Sequence, residues 1–451
     1  FDLPVDWRTA NVCLLHKKGV KEDPANYRPI SLTSIVCKTL ERIVRKRLVD
    51  HFSLNDILDD NQHGFREKRS CETQLIEVIH DWASFLDSGA DTHIAFLDFS
   101  RAFDSVPHFL LCNKLKKCGV VSRNLQWIMN FLKNRTQRVV LNGEYSEWIH
   151  VKSGVPQGTI LGPILFLCYI NDLSDNVKSV IRLYADDCIV YNKIKDVEDC
   201  ITLQKDLDEL SNWSKKWLLK FNVSKCKIMK MSRKNKTIDF TYELNGYKLD
   251  ITHSEKYLGI VINDTLNWKF HCQELYKNCN KLIGVLRRSF VNCPPHILKH
   301  LYEAIIRSRL EYCCIAWDPH CESHKNIIER IQKRCVRMMC SDWETSYEHL
   351  LHQMGLCTLE KRRLYYRLVA CYKLQNKLML VNYEHKFTYA SRIGRNDHSL
   401  KLNIPFARTD YYMYSFYVNT ARDWNKLPQS IINCPSLKSF KRALKLHLQI
   451  A

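Results

Sequence analysis

The sequence predicts an α+β protein whose last two-fifths are all-α. Three observations predict it. Short apolar runs and Asn-Gly turns alternate with amphipathic helical segments as far as about residue 270. Beyond that point the periodicity is helical only. The charge changes at the same place: 39 basic residues face 34 acidic ones in residues 1–270, against 29 and 14 in residues 271–451, so most of the net +20 lies in the helical end. A basic surface of this kind attracts polyanions, nucleic acid first among them, although a basic soluble protein without such a partner has the same composition.

The elements follow in chain order. Residues 31–52 read as an amphipathic helix with Ile35, Leu40, Ile43, Val44 and Leu48 on its apolar face. Residues 72–86 form a second helix, carrying Leu75, Ile76, Ile79 and Trp82. The run IAFLDF (94–99) is almost wholly apolar, as a strand buried on both faces must be. Residues 110–132 are helical with a break at Gly119, and residues 138–149 hold Asn142-Gly143 between β-rich flanks, a hairpin signal. IRLYADDCIVY (181–191) is apolar on either side of two carboxylates and predicts a tight hairpin with the acids at its turn. A helix over 199–219 and a second Asn-Gly hairpin over 240–251 complete the mixed region.

Other classes are excluded by composition. At 45% apolar residues the chain buries a core, so it is not disordered throughout. No run reaches the roughly 18 apolar residues of a membrane helix; the longest, 159–170, is interrupted by Gly162 and Pro163. The twenty cysteines are scattered, with none in a CxxC pair, and read as buried, reduced thiols of an intracellular protein. A start at Phe1 reads as a piece of a longer frame.

Three aspartates stand where aspartate is costly. Asp98 lies in the apolar strand run, and Asp186 with Asp187 interrupts LYADDCIV. A charge there is disfavoured unless it is paired or ligates a metal, and adjacent carboxylates raise each other's pKa unless a cation holds them. If the Asp98 strand lies beside the 181–191 hairpin, the carboxylates could hold two Mg²⁺ ions about 4 Å apart, the arrangement of phosphoryl transfer. An Asp-Asp pair by itself also fits an ordinary strand end or turn.

The segments around these acids carry more information together than singly. LHKKG (15–19), NYRPISL (26–32), QHGFREKRS (62–70), FLDFSRAFDSV (96–106), SGVPQGTILGPILF (153–166), LYADD (183–187), KFNVSKCKIM (220–229) and YLGI (257–260) occur in this order. Read together they resemble the reverse transcriptase of non-LTR (LINE-type) retrotransposons, closest to the jockey-like group. The resemblance covers the chain to about residue 260 and, more loosely, the helices beyond.

It implies a right-hand polymerase fold. Fingers and palm, with an antiparallel sheet and a primer-grip hairpin, would occupy residues 1–270. A helical thumb would follow in 271–340 and a basic helical region of uncertain role in 341–451. It implies an RNA-directed DNA polymerase that extends a DNA 3′-hydroxyl on an RNA template by two-metal nucleotidyl transfer, as in target-primed reverse transcription. Asp98, Asp186 and Asp187 would be the metal ligands, with Phe99 offering its backbone carbonyl and Mg²⁺ or Mn²⁺ as the ion. Asp104 would be structural.

Phe103 resembles the steric gate that excludes a ribose 2′-hydroxyl, though the residue alone reads as a core aromatic at the strand end. Gln157 and Gly158 resemble the segment that touches base and sugar, and alone they read as a turn after Pro156. Lys17, Arg28 and Arg66 would cradle the triphosphate, without the run telling which of Lys17 and Lys18 turns inward. Lys225 resembles a general acid for pyrophosphate. Tyr257, Leu258 and Gly259 resemble the primer grip, and alone they read as a strand with a glycine.

The implied partners are an RNA template, a DNA primer or target and dNTPs, with no membrane. The implied location is intracellular: a cytoplasmic ribonucleoprotein, then the nucleus at the point of action. No endonuclease segment is recognised, so cutting is not expected of this chain. Cys335, Cys340, His349, His352 and Cys357 are zinc-type residues at spacings that match no zinc knuckle, and read as a buried-thiol helix. A rival reading is a catalytically inactive relic that acts only as an RNA-binding protein.

Overall fold

The computed structural model describes residues 3–17, 19–234, 238–382, 387–391, 394 and 398–450. Its strands are β1 (Thr9–His16), β2 (Tyr27–Leu32), β3 (Asp91–Leu97), β4 (Thr136–Leu141), β5 (Glu144–Tyr145), β6 (Ile149–His150), β7 (Val180–Tyr184), β8 (Asp187–Ile194), β9 (Lys227–Met231), β10 (Glu243–Leu244), β11 (Tyr247–Lys248), β12 (Asp250–Ile251), β13 (Ser254–Tyr257) and β14 (Ile260–Asn263). The central sheet runs β12-β9-β3-β8-β7 and the outer sheet β2-β1-β4-β5, with β6 also on β4. β10–β11 and β13–β14 are separate hairpins. Among the described residues from the helix Lys269–Ser289 onward, the named elements are helices, with an isolated bridge between Tyr389 and Leu402.

β3 is the middle strand of the central sheet, antiparallel to both β8 and β9. Every residue of β3 is buried. Alternation along the strand sends Ala95 and Leu97 into one core and Ile94 and Phe96 into the other. The first core includes the apolar helix Gly162–Ile170; the second is roofed by the helix Cys71–Asp87 and by residues beyond 269. Two covered faces explain why the run reads as continuously apolar although the pairing is antiparallel.

The late helices are tied back to this frame. Asn382 donates its backbone N–H to Glu77 (2.7 Å), Arg69 reaches the Asn382 side chain (3.1 Å), and Thr409 donates to Asp87 (2.7 Å). Arg363 and Arg367 both bond the Asp318 carboxylate, which locks the helix Leu359–Gln375 against the turn before residue 322.

Most expected elements are present, with shifted edges. Helices His108–Lys117 and Ser122–Leu132 flank Gly119, and both Asn-Gly pairs turn their hairpins with positive φ. The first long helix differs more. Ser31 and Leu32 belong to β2, and the helix spans Ile35–Leu54. Ile35 and Ile43 are exposed, and the buried line is Cys37, Glu41, Leu48 and Phe52. The buried glutamate decides the face: Glu41 accepts the backbone N–H groups of Ile160 (2.7 Å) and Leu161 (3.0 Å), which would otherwise be orphaned at the start of the Gly162–Ile170 helix. All twenty cysteines are free thiols. Cys335 is buried in the helix Glu322–Cys340, and among the described residues no group of three or more His, Cys, Asp or Glu is placed to hold a metal.

Candidate active site

The site is set by the tip of one hairpin beside the end of one strand. β7 and β8 pair from Val180–Tyr191 to Tyr184–Asp187, leaving Ala185 and Asp186 as a two-residue turn. Ala185 takes φ +55°, the left-handed conformation such a turn requires. The β3–β8 register ends at Leu97 opposite Cys188, so one step further places Asp98 opposite Asp187. Asp98 and the Asp186–Asp187 pair, far apart in sequence, thus meet at one end of the central sheet.

Their electrostatics follow from this crowding. The Asp187 carboxyl is pushed up to about 6, first by burial and then by Asp186 and Asp98; Arg28 opposes the shift. The residue as a whole is nonetheless exposed. Asp186 is also raised, by burial and by Asp98, against Arg28 and Lys17. Lys225 places its Nζ 3.4 Å from Asp98 Oδ2. Asp98 is fixed through its backbone, whose carbonyl accepts the Asn222 N–H (2.7 Å). An all-oxygen set of mutually repelling carboxylates suits a hard divalent cation, although as the side chains stand they are not drawn together as a ligand group.

The hairpin tip is clamped by residues that sequence reasoning did not single out. Gln62 Oε1 accepts the backbone N–H groups of Ala185 (2.9 Å) and Gly64 (2.8 Å). Backbone bonds from His63 N to Leu183 O (2.8 Å) and from Leu183 N to Asn61 O (2.9 Å) extend the clamp along β7. A Cβ on Gly64 would lie 2.4 Å from Ala185 N, so only glycine lets the strap approach this closely. Beneath it, Glu77, fully buried, faces His63 (3.6 Å) and Arg182 (3.2 Å). The available signal was a run of polar residues beside a glycine, Gln62-His63-Gly64, in a block otherwise noted only for Arg66.

The other expected residues are placed as follows. Phe99 lies in the core and Phe103 packs against it: Phe99 stacks on Phe221 (4.4 Å), and Phe103 stacks on Phe166 (4.4 Å) with its flank against Phe65 (6.3 Å). Gln157 donates to Asp104 Oδ1 (3.3 Å), and its carbonyl accepts the Ser31 N–H (2.7 Å). Gly158 has φ +105° and a Cβ there would meet Ser31 O at 2.5 Å, so its immediate reason is close packing on β2. Lys17 and Arg28 project from the β1–β2 hairpin within electrostatic reach of Asp186, whereas Lys18 lies outside the described residues.

Arg66 does not join them. Its Nη1 bonds the Asp59 carbonyl (2.6 Å) and the Asp60 carboxylate (3.3 Å), a tie within its own loop. Leu258 and Gly259 turn the β13–β14 hairpin, and Tyr257 is buried against Phe96 with its hydroxyl bonded to Gln74. Tyr312 steadies the tip from the helical part by donating to Leu258 O (3.1 Å).

Comparison with known proteins agrees with this geometry. The family model described as reverse transcriptase (RNA-dependent DNA polymerase) matches residues 15–262, which contain every site residue above except Tyr312. A probable RNA-directed DNA polymerase from transposon X-element of Drosophila melanogaster is 27% identical over 79% of this chain and 40% of its own length. That from transposon BS of the same fly is 30% identical over 74% and 38%. The RNA-directed DNA polymerase from mobile element jockey, also from D. melanogaster, is 28% identical over 74% and 38%. The chain therefore spans about two-fifths of the length of these relatives. With a central, mainly antiparallel sheet bearing acids at one end, an outer sheet beside it and helices after it, the architecture is the right-hand polymerase fold, and the chain belongs to the reverse transcriptase (RNA-dependent DNA polymerase) family.

Proposed function

We propose that this chain is the polymerase segment of a non-LTR retrotransposon protein and extends a DNA 3′-hydroxyl along an RNA template, in target-primed copying at chromosomal DNA. The observation that carries the reading is the convergence of Asp98 and the Asp186–Asp187 turn on one sheet edge, with Lys17, Arg28 and Lys225 around them. Residues 1–270 act as fingers and palm, 271–340 as thumb, and 341–451 as a further basic helical region.

Asp98, Asp186 and Asp187, with the Phe99 carbonyl, would hold two divalent ions, Mg²⁺ or Mn²⁺. Such ions, when bound, lower the pKa of the attacking hydroxyl and neutralise the leaving pyrophosphate. The protein's own groups do the rest. Arg28 and Lys17 bind the triphosphate from the outer sheet, Arg28 by its fork and Lys17 as a point charge. Lys225, beside Asp98, holds a proton where pyrophosphate departs. Phe103, fixed by its stack on Phe166, closes the space a 2′-hydroxyl needs, and Gln157–Gly158 lines the sugar side. Tyr257–Gly259 sets the primer end in line, the positioning term that converts binding into rate.

Primer extension tests this. Purified chain, a DNA primer on an RNA template, dNTPs and Mg²⁺ are expected to yield product that Asp186→Asn abolishes. Product that survives the substitution unchanged, or none from the parent chain, would overturn the reading.

A further inference from the structure

A cavity of about 420 Å³ lies among the late helices, outside the segment that the family model matches. Its walls come from the helix Pro295–Leu301 and the turn of helix after it, the loop Gly355–Cys357, the helix Leu359–Gln375 and the helix Leu437–His447. Six cations line it: Lys299, Arg307, Arg362, Lys373, Lys441 and Lys445. Glu303 is the one acid in the lining; it pairs with Arg307 (2.9 Å), and Glu311 behind the wall bonds Arg362 and sits 3.7 Å from Arg307. Ion pairs thus hold Arg307 and Arg362, and the Glu72 carboxyl lies within electrostatic reach of Lys373. Among the described residues no carboxylate comes within ion-pair distance of Lys299, Lys373 or Lys441, although Lys299 meets the Gly355 carbonyl at 3.5 Å.

This concentration is costly for the fold. Lys441 and Lys445 stand four residues apart on one helix, a like-charge spacing that destabilises it. The helix is nevertheless fixed, with Phe440 and Leu444 fully buried and Phe440 stacked on Tyr372 at 4.3 Å. The opposite wall is equally firm, because Arg363 and Arg367 are locked to Asp318. The cations are therefore held facing one another across a preformed space. Tyr365 and Tyr366 add an aromatic flank, their rings 5.5 Å apart. The volume is that of a pocket for a nucleotide-sized group.

We propose that this cavity is a phosphate-binding site, separate from the catalytic cleft, that grips the sugar–phosphate backbone of the RNA the chain copies. The proposal rests on the polymerase reading only for the identity of that RNA. Lys373, Lys441 and Lys299 take phosphate oxygens, and the tyrosine flank lies against ribose or base. Such contacts are indifferent to sequence and release counterions, so they appear in the salt dependence of binding.

The test is RNA binding by the full chain, without Mg²⁺ or dNTPs, to a fluorescein-labelled 30-nucleotide single-stranded RNA across a salt series. The double variant Lys373→Gln/Lys441→Gln is expected to weaken binding roughly tenfold and to reduce the slope of log K against log salt by about 1.4, two contacts at about 0.7 each. The control Lys438→Gln/Arg442→Gln removes the same charge from exposed positions of the same helix, outside the cavity lining. It is expected to change binding by less than threefold. Equal losses in the two pairs, or an unchanged slope in the cavity pair, would overturn the proposal. Competition by inorganic tripolyphosphate that displaces RNA from the control but not from the cavity variant supports a shared phosphate site; saturable tripolyphosphate binding with no effect of the cavity pair on RNA would assign the site to a free polyanion and overturn it. A melting temperature at or above that of the parent separates lost binding from lost folding. Asp186→Asn is expected to bind RNA as the parent does, so failure of polymerisation and failure of this site are read separately.

Discussion

The carboxylate cleft and the basic cavity solve opposite problems. In the cleft, three acids are crowded at a sheet edge, and the hairpin tip that carries two of them is held by backbone bonds and by the buried Gln62 side chain. In the cavity, long cationic side chains line an opening between helices whose backbones are fixed elsewhere. The difference teaches where precision is needed. Chemistry at a phosphorus atom requires sub-ångström placement of ligands, which strand register and a tight turn supply. Attraction of a backbone of phosphates needs only density of charge, which flexible lysines supply. Substitutions in the cleft are therefore expected to act steeply on rate, and those in the cavity to act gradually and in proportion to salt.

The steepest case is Asp186→Asn. It removes a ligand charge while keeping the turn, and loss of several kcal/mol of transition-state stabilisation corresponds to at least about a 1,000-fold fall in extension rate, with RNA affinity unchanged. Single-turnover extension measures it. Next comes the clamp. Gln62→Ala leaves the buried N–H groups of Ala185 and Gly64 without their acceptor, at a cost of roughly 2–4 kcal/mol in folding free energy. Urea unfolding reads this directly, and a loss under about 0.5 kcal/mol would show that the clamp is idle. Phe103→Val is milder: with the stack on Phe166 lost, discrimination between dNTP and rNTP is expected to loosen by roughly tenfold, within the range that a small change of pocket shape gives. If the ratio is unchanged, Phe103 is only a core aromatic.

The two regions were not equally legible in the sequence. IAFLDF and LYADDCIV announced a buried strand and a hairpin because charge inside an apolar run has few explanations, and the register bears out their adjacency. The clamp escaped because Gln62 acts through the backbone of Ala185, 123 positions away, and no local period reports such a partner. Glu41 escaped for the same reason: a helix-face argument assigns a charged residue outward, while the orphan amides of Ile160 and Leu161 draw it inward. Arg66 read as a phosphate ligand from its block but is held by Asp59 and Asp60, seven and six residues before it. The basic cavity was visible only as a net charge in residues 271–451. Which lysines converge depends on helix packing, to which composition is blind.

The smallest expected effect sharpens the comparison, because it asks whether the acids of the cleft await a cation as the lysines of the cavity await an anion. Asp187 holds its proton up to about pH 6 because burial and two neighbouring carboxylates disfavour the charge. Its folded value thus lies above the ordinary carboxylate value, so its favourable contribution to stability is full below about pH 4 and is lost as pH rises through 6. Divalent metal competes with that proton and binds the folded chain, so Mg²⁺ is expected to raise the melting temperature more at pH 7.5 than at pH 5. At limiting Mg²⁺ the extension rate is expected to halve between pH 7 and about pH 6, and the inflection to move to lower pH as Mg²⁺ is raised. Asp187→Asn removes the repulsion without supplying a ligand, so it is expected to raise the metal-free melting temperature at pH 7.5 and to diminish the Mg²⁺-dependent rise. A Mg²⁺ shift equal at both pH values, or intact in the variant, would mean that Asp187 is a strand-end residue and that the strain at this sheet edge is not relieved by metal.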